Sequence, residues 1–490
     1  MKSDHSITTI TDEAKITLDN LVDLTGNLVS PTLRFGVTGL SRSGKTVFIT
    51  ALVHNFIHGG RLPLFEPWQS GRFASAGLQP QPSMAVPRFQ YEDHVRTLVE
   101  SRIWPESTRA ISELRLTIKY ESASAWGRAF GPGTLNIDIV DYPGEWLLDL
   151  PLLGMDFKSW SAKALDLARD GKRSKLSAKW LARLMDVKAE EPVEETLAIE
   201  LASLFTSYLR DCREDETAFS TLPPGRFLMP GDLEGSPAIT FCPLPAEMEP
   251  DDKQDSLYSM MADRFEAYKQ FVIMPFFREH FARIDRQIVL VDALQAINAG
   301  PEALSDLELA LSDILTCFRP GRPGWLAPLF GRRIGRILFA ATKADHLHHK
   351  NHDRLEAVLR KLVSSAIDRA QFSGAEVDVL ALSAIRATRE AILRQDGEEL
   401  PVITGTPLPG ERIGKDRFDG KTETAIFPGD LPSDPAILFD RNLKDKDRPE
   451  LRFIRFRPPE LETTAEGTTL SLPHIRLDRA LNFLFADKLA

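Results

Sequence analysis

The sequence predicts an α/β fold, a mostly parallel sheet flanked by helices, whose first strand runs into a glycine-rich loop and whose middle is interrupted by an inserted α-helical domain. Three observations predict it. Gly39-Leu40-Ser41-Arg42-Ser43-Gly44-Lys45-Thr46 matches G-x-x-x-x-G-K-[ST] at every fixed position, and it lies between a strand pattern over 33–38 and an apolar helix pattern over 46–56. Short, largely apolar runs at Ile288–Val291, Ile337–Ala341 and Val377–Leu382 alternate with helical patterns, as buried parallel strands do. From 146 to 283 the apolar residues recur at helical spacing instead.

At 490 residues the chain has room for two to four domains. The boundaries read as an N-terminal helical arm over 1–29, a discontinuous α/β domain over 30–150 and 284–490 with C-terminal additions, and a helical insertion over 151–283. Hydrophobic content of 43% and charged content of 27% are those of a globular protein, and a net charge of −10 argues against nucleic acid as a partner. Cys212, Cys242 and Cys317 are few and far apart, so neither a disulfide framework nor a metal spacing is expected and a reducing cytoplasm fits. No apolar run approaches the roughly 20 residues that span a bilayer, and the first residues lack a leader pattern.

Residues 11–27 form the amphipathic arm, expected to pack on the α/β domain. In the loop, glycines at 39 and 44 open dihedrals closed to other residues and let consecutive N–H groups approach an anion, so the loop is a phosphate nest. Gly39, Ser41, Arg42, Ser43, Gly44, Lys45, Thr46 and Val47 are the candidate phosphate contacts. Lys45 supplies a point charge near the β and γ phosphates, Thr46 a hydroxyl for Mg2+, and the next helix its positive end.

Residues 61–90, with five prolines, read as a long irregular excursion, and 91–102 as a helix. Before the alternating strand Glu113–Tyr120, Thr108 is the first candidate for a hydroxyl that reaches Mg2+ and the γ phosphate, with Ser107 and Thr97 as alternatives. The strand 134–140 delivers Asp141-Tyr142-Pro143-Gly144-Glu145. Asp141 suits Mg2+, Gly144 lets an amide approach the γ phosphate, and Glu145 stands where a water-orienting side chain is needed. A carboxylate there repels the phosphate, so slow intrinsic turnover is expected.

Helices are expected over 157–175, 178–185, 196–213 and 255–281, with a proline-rich loop over 223–250 and Trp160, Trp180 and Phe205 in the core. After the strand at 288–292 and a helix over 302–318, the arginines of 321–336 read as a solvated loop. The strand 337–341 ends in Thr342-Lys343-Ala344-Asp345: Asp345 can accept from guanine N1–H and the exocyclic amine together, and the Lys343 stem can cover the purine. His346, His348, His349 and His352 read as the solvated start of the helix over 355–370 rather than as a metal site. The last sheet strand ends at Ser383-Ala384, a turn placed to give a backbone amide to guanine O6. Residues 401–435 read as turns and short hairpins, 451–457 as a strand, and 474–485 as a helix whose Leu477, Leu481 and Leu484 pack on the sheet.

These motifs stand in the order found in switch GTPases. In detail, the loop at 39–46, Trp104-Pro105, Asp141-Tyr142-Pro143-Gly144-Glu145-Trp146, Thr342-Lys343-Ala344-Asp345-His346 and the ending Pro473-His474-Ile475-Arg476-Leu477-Asp478-Arg479-Ala480-Leu481 resemble the bacterial YcjX-like family of predicted GTPases. The resemblance implies a Ras-like P-loop NTPase domain with a helical insertion, GTP and GDP with Mg2+ as ligands, and a stress-related role with an unidentified effector protein. The expected chemistry is GTP hydrolysis, with Lys45, Thr108 and Glu145 as catalytic candidates and Thr46, Thr108 and Asp141 as metal ligands. An ATP-using P-loop enzyme and a nucleotide-stabilised scaffold with negligible hydrolysis are the rival readings. The expected location is the cytoplasm, with the inner membrane reached through a partner.

Overall fold

A computed structural model describes the whole chain except 1–30, 41, 107, 109, 125–131, 188–193, 215–218, 220–221, 250–255, 317–333, 373, 396–397, 445–447 and 462–470. The expected N-terminal arm, Ser41, Ser107 and most of the arginine-rich loop lie outside the described residues.

The centre is a seven-stranded sheet in the order β2-β3-β4-β1-β5-β6-β7. Its strands are β1 (Thr32–Gly39), β2 (Phe73–Gln79), β3 (Ser112–Tyr120), β4 (Gly133–Asp141), β5 (Arg286–Val291), β6 (Arg336–Ala341) and β7 (Glu376–Ala381). β4, β1, β5, β6 and β7 run parallel, while β3 is antiparallel to β4 and to β2. All six residues of β5 are buried because helices cover both faces, which is why four of them, Ile288–Val291, form an unbroken apolar run. β3 alternates as its pattern predicts: Leu114, Leu116 and Ile118 are buried, while Arg115 on the other face pairs with Asp138 at 2.6 Å.

The pleat divides the core into two layers. On one face Phe35, Val37, Ile288, Leu290 and Leu338 pack with α1 (Lys45–Ile57). On the other Val289, Val291, Phe339 and Val379 pack in one continuous cluster with the segment between β4 and β5. That segment holds α2 (Phe157–Arg169), α3 (Ala178–Met185), α4 (Glu195–Cys212) and α5 (Leu257–Tyr268). Trp160, Trp180 and Phe205 are buried there as expected, with Trp160 stacked on Phe265 at 5.0 Å between ring centres. The chain then runs through α6 (Ala293–Ala299), α7 (Pro301–Thr316), α8 (His352–Leu362) and α9 (Ser364–Phe372), and closes on α10 (Leu477–Phe485). Leu477, Leu481 and Leu484 of α10 pack on the first face, as expected.

Several expectations need correction. The 61–90 excursion contains β2, an edge strand whose pairing with β3 overrides its weak local propensity. The expected helix over 255–281 changes after Tyr268 to wider π-type turns at Lys269–Ile273 and Phe277–Phe281; Pro275 between them has no N–H to bond back one turn. The turns and short hairpins expected over 401–435 are present, but their sheet begins earlier, with the hairpin β8 (Arg389–Gln395) and β9 (Glu398–Gly405). After the short pair β10 (Arg412–Ile413) and β11 (Asp416–Arg417), β12 (Thr424–Ile426) adds to β9. The expected strand over 451–457 joins no sheet and makes a single bridge, Phe456 to Pro407. His346, His348 and His352 are buried, not solvated: His352 Nε2 reaches the Ala344 carbonyl at 2.9 Å, and His346 packs edge-on against Phe456. No helix among the described residues is long and apolar enough to cross a membrane.

Candidate functional site

Parallel strands deliver their carboxyl-end loops to one edge of a sheet, and ligands of open α/β sheets lie along that edge. Here those loops open on a cavity of about 770 Å³. Arg42, Ser43, Gly44, Lys45, Thr46 and Val47 line it from the loop after β1, Gly144 and Glu145 from beyond β4, Thr342, Lys343 and Asp345 from beyond β6, and Ser383 and Ala384 from beyond β7. Thr108 lines it too, whereas Thr97 turns back to donate to the Asp93 carbonyl at 2.8 Å. Gly39 and Asp141 sit just behind the wall, each bonded to a residue that lines it.

Local sequence explains the cradle. Gly44 caps α1 at φ 88°, the left-handed region, and leaves the first helical N–H groups facing the cavity. A Cβ on Gly144 would stand 2.2 Å from the Gly39 carbonyl oxygen and 2.8 Å from Lys45 Nζ, so only glycine admits this approach of the two loops. Lys45 Nζ donates to the Gly39 carbonyl at 2.9 Å; burial pushes its pKa down, against the pull of Glu145 and Asp141. Thr108 Oγ1 donates to Asp141 Oδ2 at 2.7 Å, so its contact of 3.1 Å with Thr46 Oγ1 must be donated by Thr46.

Two buried polar atoms there, Asp141 Oδ1 and Ser43 Oγ, have no hydrogen-bond partner. Burial lifts the Asp141 carboxyl to about 6, with Lys45 and Thr108 opposing. A carboxylate with one oxygen unpaired, beside two threonine hydroxyls, fits a hard divalent cation such as Mg2+, for which Asp141, Thr46 and Thr108 are the available oxygens.

At the other end Asp345 is buried, and its Oδ2 accepts from the Ala387 amide at 2.8 Å while Thr388 Oγ1 donates to its carbonyl. Lys343 takes a left-handed backbone, φ 61°, and its ammonium pairs with Asp292. The Ser383 amide is committed to the Ile475 carbonyl at 3.0 Å, which leaves Ala384 to supply the amide expected of this turn.

Sequence reasoning missed Asp292 and the roof. Asp292 ends the apolar strand β5 just as Asp141 ends β4, so the same rule applied twice finds it. The roof is built from Phe453, Arg455 and Phe456 in the extended stretch beyond β12 and from Glu411, just ahead of β10, which pairs with Arg455. Trp104 ties it to the Thr108 loop, its Nε1 donating to the Phe456 carbonyl at 2.6 Å.

Comparison with known proteins bears on this arrangement. The model of the YcjX-like family, DUF463, matches residues 33–489. A protein of Escherichia coli (strain K12) named "Ras-like GTPase YcjX" is 38% identical over 470 residues, covering 93% of this chain and 96% of that protein. A protein of the same name from Shewanella oneidensis is 33% identical over 480 residues, 93% of this chain and 94% of that protein. The mostly parallel sheet with its loop at 39–46 is an α/β fold of the Ras-like P-loop type. With the family model matched across nearly the whole described sheet and both relatives aligned almost end to end, the chain belongs to the YcjX-like family.

Proposed function

We propose that this protein binds GTP and GDP with Mg2+ in the cavity at the sheet edge and hydrolyses GTP to GDP and phosphate, acting as a nucleotide-dependent switch. The observation that carries the reading is convergence: segments separated by up to some four hundred residues of chain supply one cavity with an anion nest at one end and a buried carboxylate at the other. The names of the relatives at 38% and 33% identity point the same way.

In this reading Gly44, Lys45 and the first turn of α1 hold the β and γ phosphates, and the ammonium of Lys45 offsets charge that develops on the transferred group. Thr46, Thr108 and Asp141 are the residues that would hold Mg2+, which would supply charge neutralisation at the phosphates. Gly144 presents its amide to the γ phosphate, and Glu145 accepts a hydrogen bond from the attacking water. Asp345 selects guanine by accepting from N1–H and the 2-amino group, with the Lys343 stem along the ring and the Ala384 amide on O6. A stress-related role and an effector protein rest on the family resemblance alone.

The test is single-turnover release of the γ phosphate from GTP in Mg2+, beside calorimetry with GDP and ADP. Hydrolysis by the wild type, lost in K45A, with GDP preferred over ADP, supports the reading. Equal affinity for ADP favours an ATP-using enzyme, and tight GDP binding without turnover favours the scaffold.

A further inference from the structure

The stretch that follows Asp141 is where a nucleotide switch usually meets its regulators, yet here it lies inside its own chain. Gly144–Gly154 is a run of tight 3₁₀ turns in which Glu145, Trp146, Leu147, Leu148, Asp149 and Leu150 are all buried. What covers it comes from the helical insertion. Arg213, which caps the carboxyl end of α4, donates from Nη1 to Glu145 Oε1 at 3.1 Å. The Gly225 Cα presses on the backbone of the same residue so closely that a Cβ would stand 1.8 Å from the Glu145 carbonyl oxygen. Asp149 fixes this second contact, accepting from the Gly225 amide at 2.6 Å, the Arg226 amide at 3.3 Å and the Tyr268 hydroxyl at 2.6 Å. The Arg226 guanidinium lies 3.2 Å from the centre of the Trp146 ring.

Carboxylate and backbone of Glu145 are thus held by separate parts of one insertion. The cavity is lined by Glu145 and not by Arg213, which stands behind it. An isolated glutamate would repel the γ phosphate; one paired to a guanidinium keeps its ability to accept a proton or hydrogen bond from water while presenting little net charge.

We propose that Arg213 is a positioning residue for GTP hydrolysis, acting through Glu145, so that the helical insertion completes the hydrolytic site from within the same chain. This rests on the function proposed above. Removing Arg213 breaks none of the hydrogen bonds that hold Lys45 to the loop carbonyls or Asp345 at the base end, and it frees Glu145 to swing and to repel the substrate.

The experiment uses the full chain as wild type, R213A, R213K, E145Q and R213A/E145Q, reading the dissociation constant for fluorescent GDP and single-turnover phosphate release. R213A should bind GDP within about threefold of wild type and release phosphate at least tenfold more slowly. R213K should recover part of the rate, and the double variant should be no slower than E145Q, because a residue that acts through another adds nothing once that other is changed. Wild-type turnover in R213A, or a double variant slowed by the product of the single effects, overturns the proposal. Where the wild type binds but does not turn over, hydrolysis itself has failed and the positioning is read by hydrogen exchange instead: with a GTP analogue bound, R213A should exchange the amides of 144–150 at least tenfold faster, and unchanged exchange overturns it. A wild type that binds no guanine nucleotide sinks the parent reading and this one with it.

Discussion

Replacing Gly144 with alanine tests the cradle at its tightest point. The added methyl would stand 2.2 Å from the Gly39 carbonyl oxygen, 2.8 Å from the Leu40 carbonyl carbon and 2.8 Å from Lys45 Nζ. Two of those atoms are backbone, so no side chain can turn aside. The 144–145 segment cannot retreat either, because the Glu145 carbonyl already rests against Gly225. The phosphate loop must therefore move, and with it the 2.9 Å bond from Lys45 to Gly39 that aims the ammonium. Overpacking a close-fitted site costs about 1–3 kcal/mol, and with both sides backbone the upper end applies, which converts to roughly 150-fold in affinity. The assay is a titration with fluorescent GDP in Mg2+, beside urea unfolding of the nucleotide-free protein. Gly154 ends the same run of turns with open space around its Cα, so G154A is the control and should leave both readings unchanged. A G144A protein that matches wild type in GDP affinity and in urea midpoint would refute the close approach.

Other perturbations have definite outcomes. K45A removes a buried ammonium that is bonded to the loop carbonyls and that in the proposed function faces the phosphates, and should cost about 3 kcal/mol of GDP binding by calorimetry, roughly two orders of magnitude. D345N exchanges an acceptor for a donor, so GDP should weaken roughly a hundredfold while xanthosine diphosphate, with a carbonyl where guanine has its amine, gains; competition binding reads both. Chelating Mg2+ with EDTA should speed GDP release at least tenfold in stopped flow, because the buried Asp141 Oδ1, which has no hydrogen-bond partner, then loses the cation proposed to pair with it. Burial lifts the Asp149 carboxyl from 3.8 to about 6. Between those values the folded chain keeps a proton that the unfolded chain has lost, so this group's contribution is full below pH 4 and is lost as pH rises through 6. The loss is about 3 kcal/mol as an order of magnitude. Urea midpoints of D149N, followed from pH 4 to 7 against wild type, should lack that component.

What could be read from the sequence follows from how parallel sheets work. Asp141, Thr342 and Ser383 each stand at or within two residues of the carboxyl end of a strand, and parallel strands end at one edge, so local patterns sufficed to bring distant motifs together. The base end needed one correction of detail, since the Ser383 amide is taken by Ile475, a partner almost a hundred residues away that no local pattern announces. The histidines were misjudged for the same reason: hydrophilic neighbours suggest solvent, but His346 and His352 are buried by Phe456 and by the Ala344 carbonyl, through contacts that close only in three dimensions. β2 was hidden because proline and glycine around it lower its local propensity, and only pairing with β3 makes it a strand. The bond from Arg213 to Glu145 spans 68 positions between a helix end and a buried turn, and neither residue type marks the other.

In the proposed function the cavity at the sheet edge holds a magnesium-bound guanine nucleotide. Calorimetry of the full chain with GDP and, in parallel, ADP in the presence of Mg2+ tests it most directly. A guanine-selective cavity gives saturable heat at one GDP per chain and at least a hundredfold weaker response to ADP. Flat heats with GDP, or equal affinity for the two nucleotides, would contradict it.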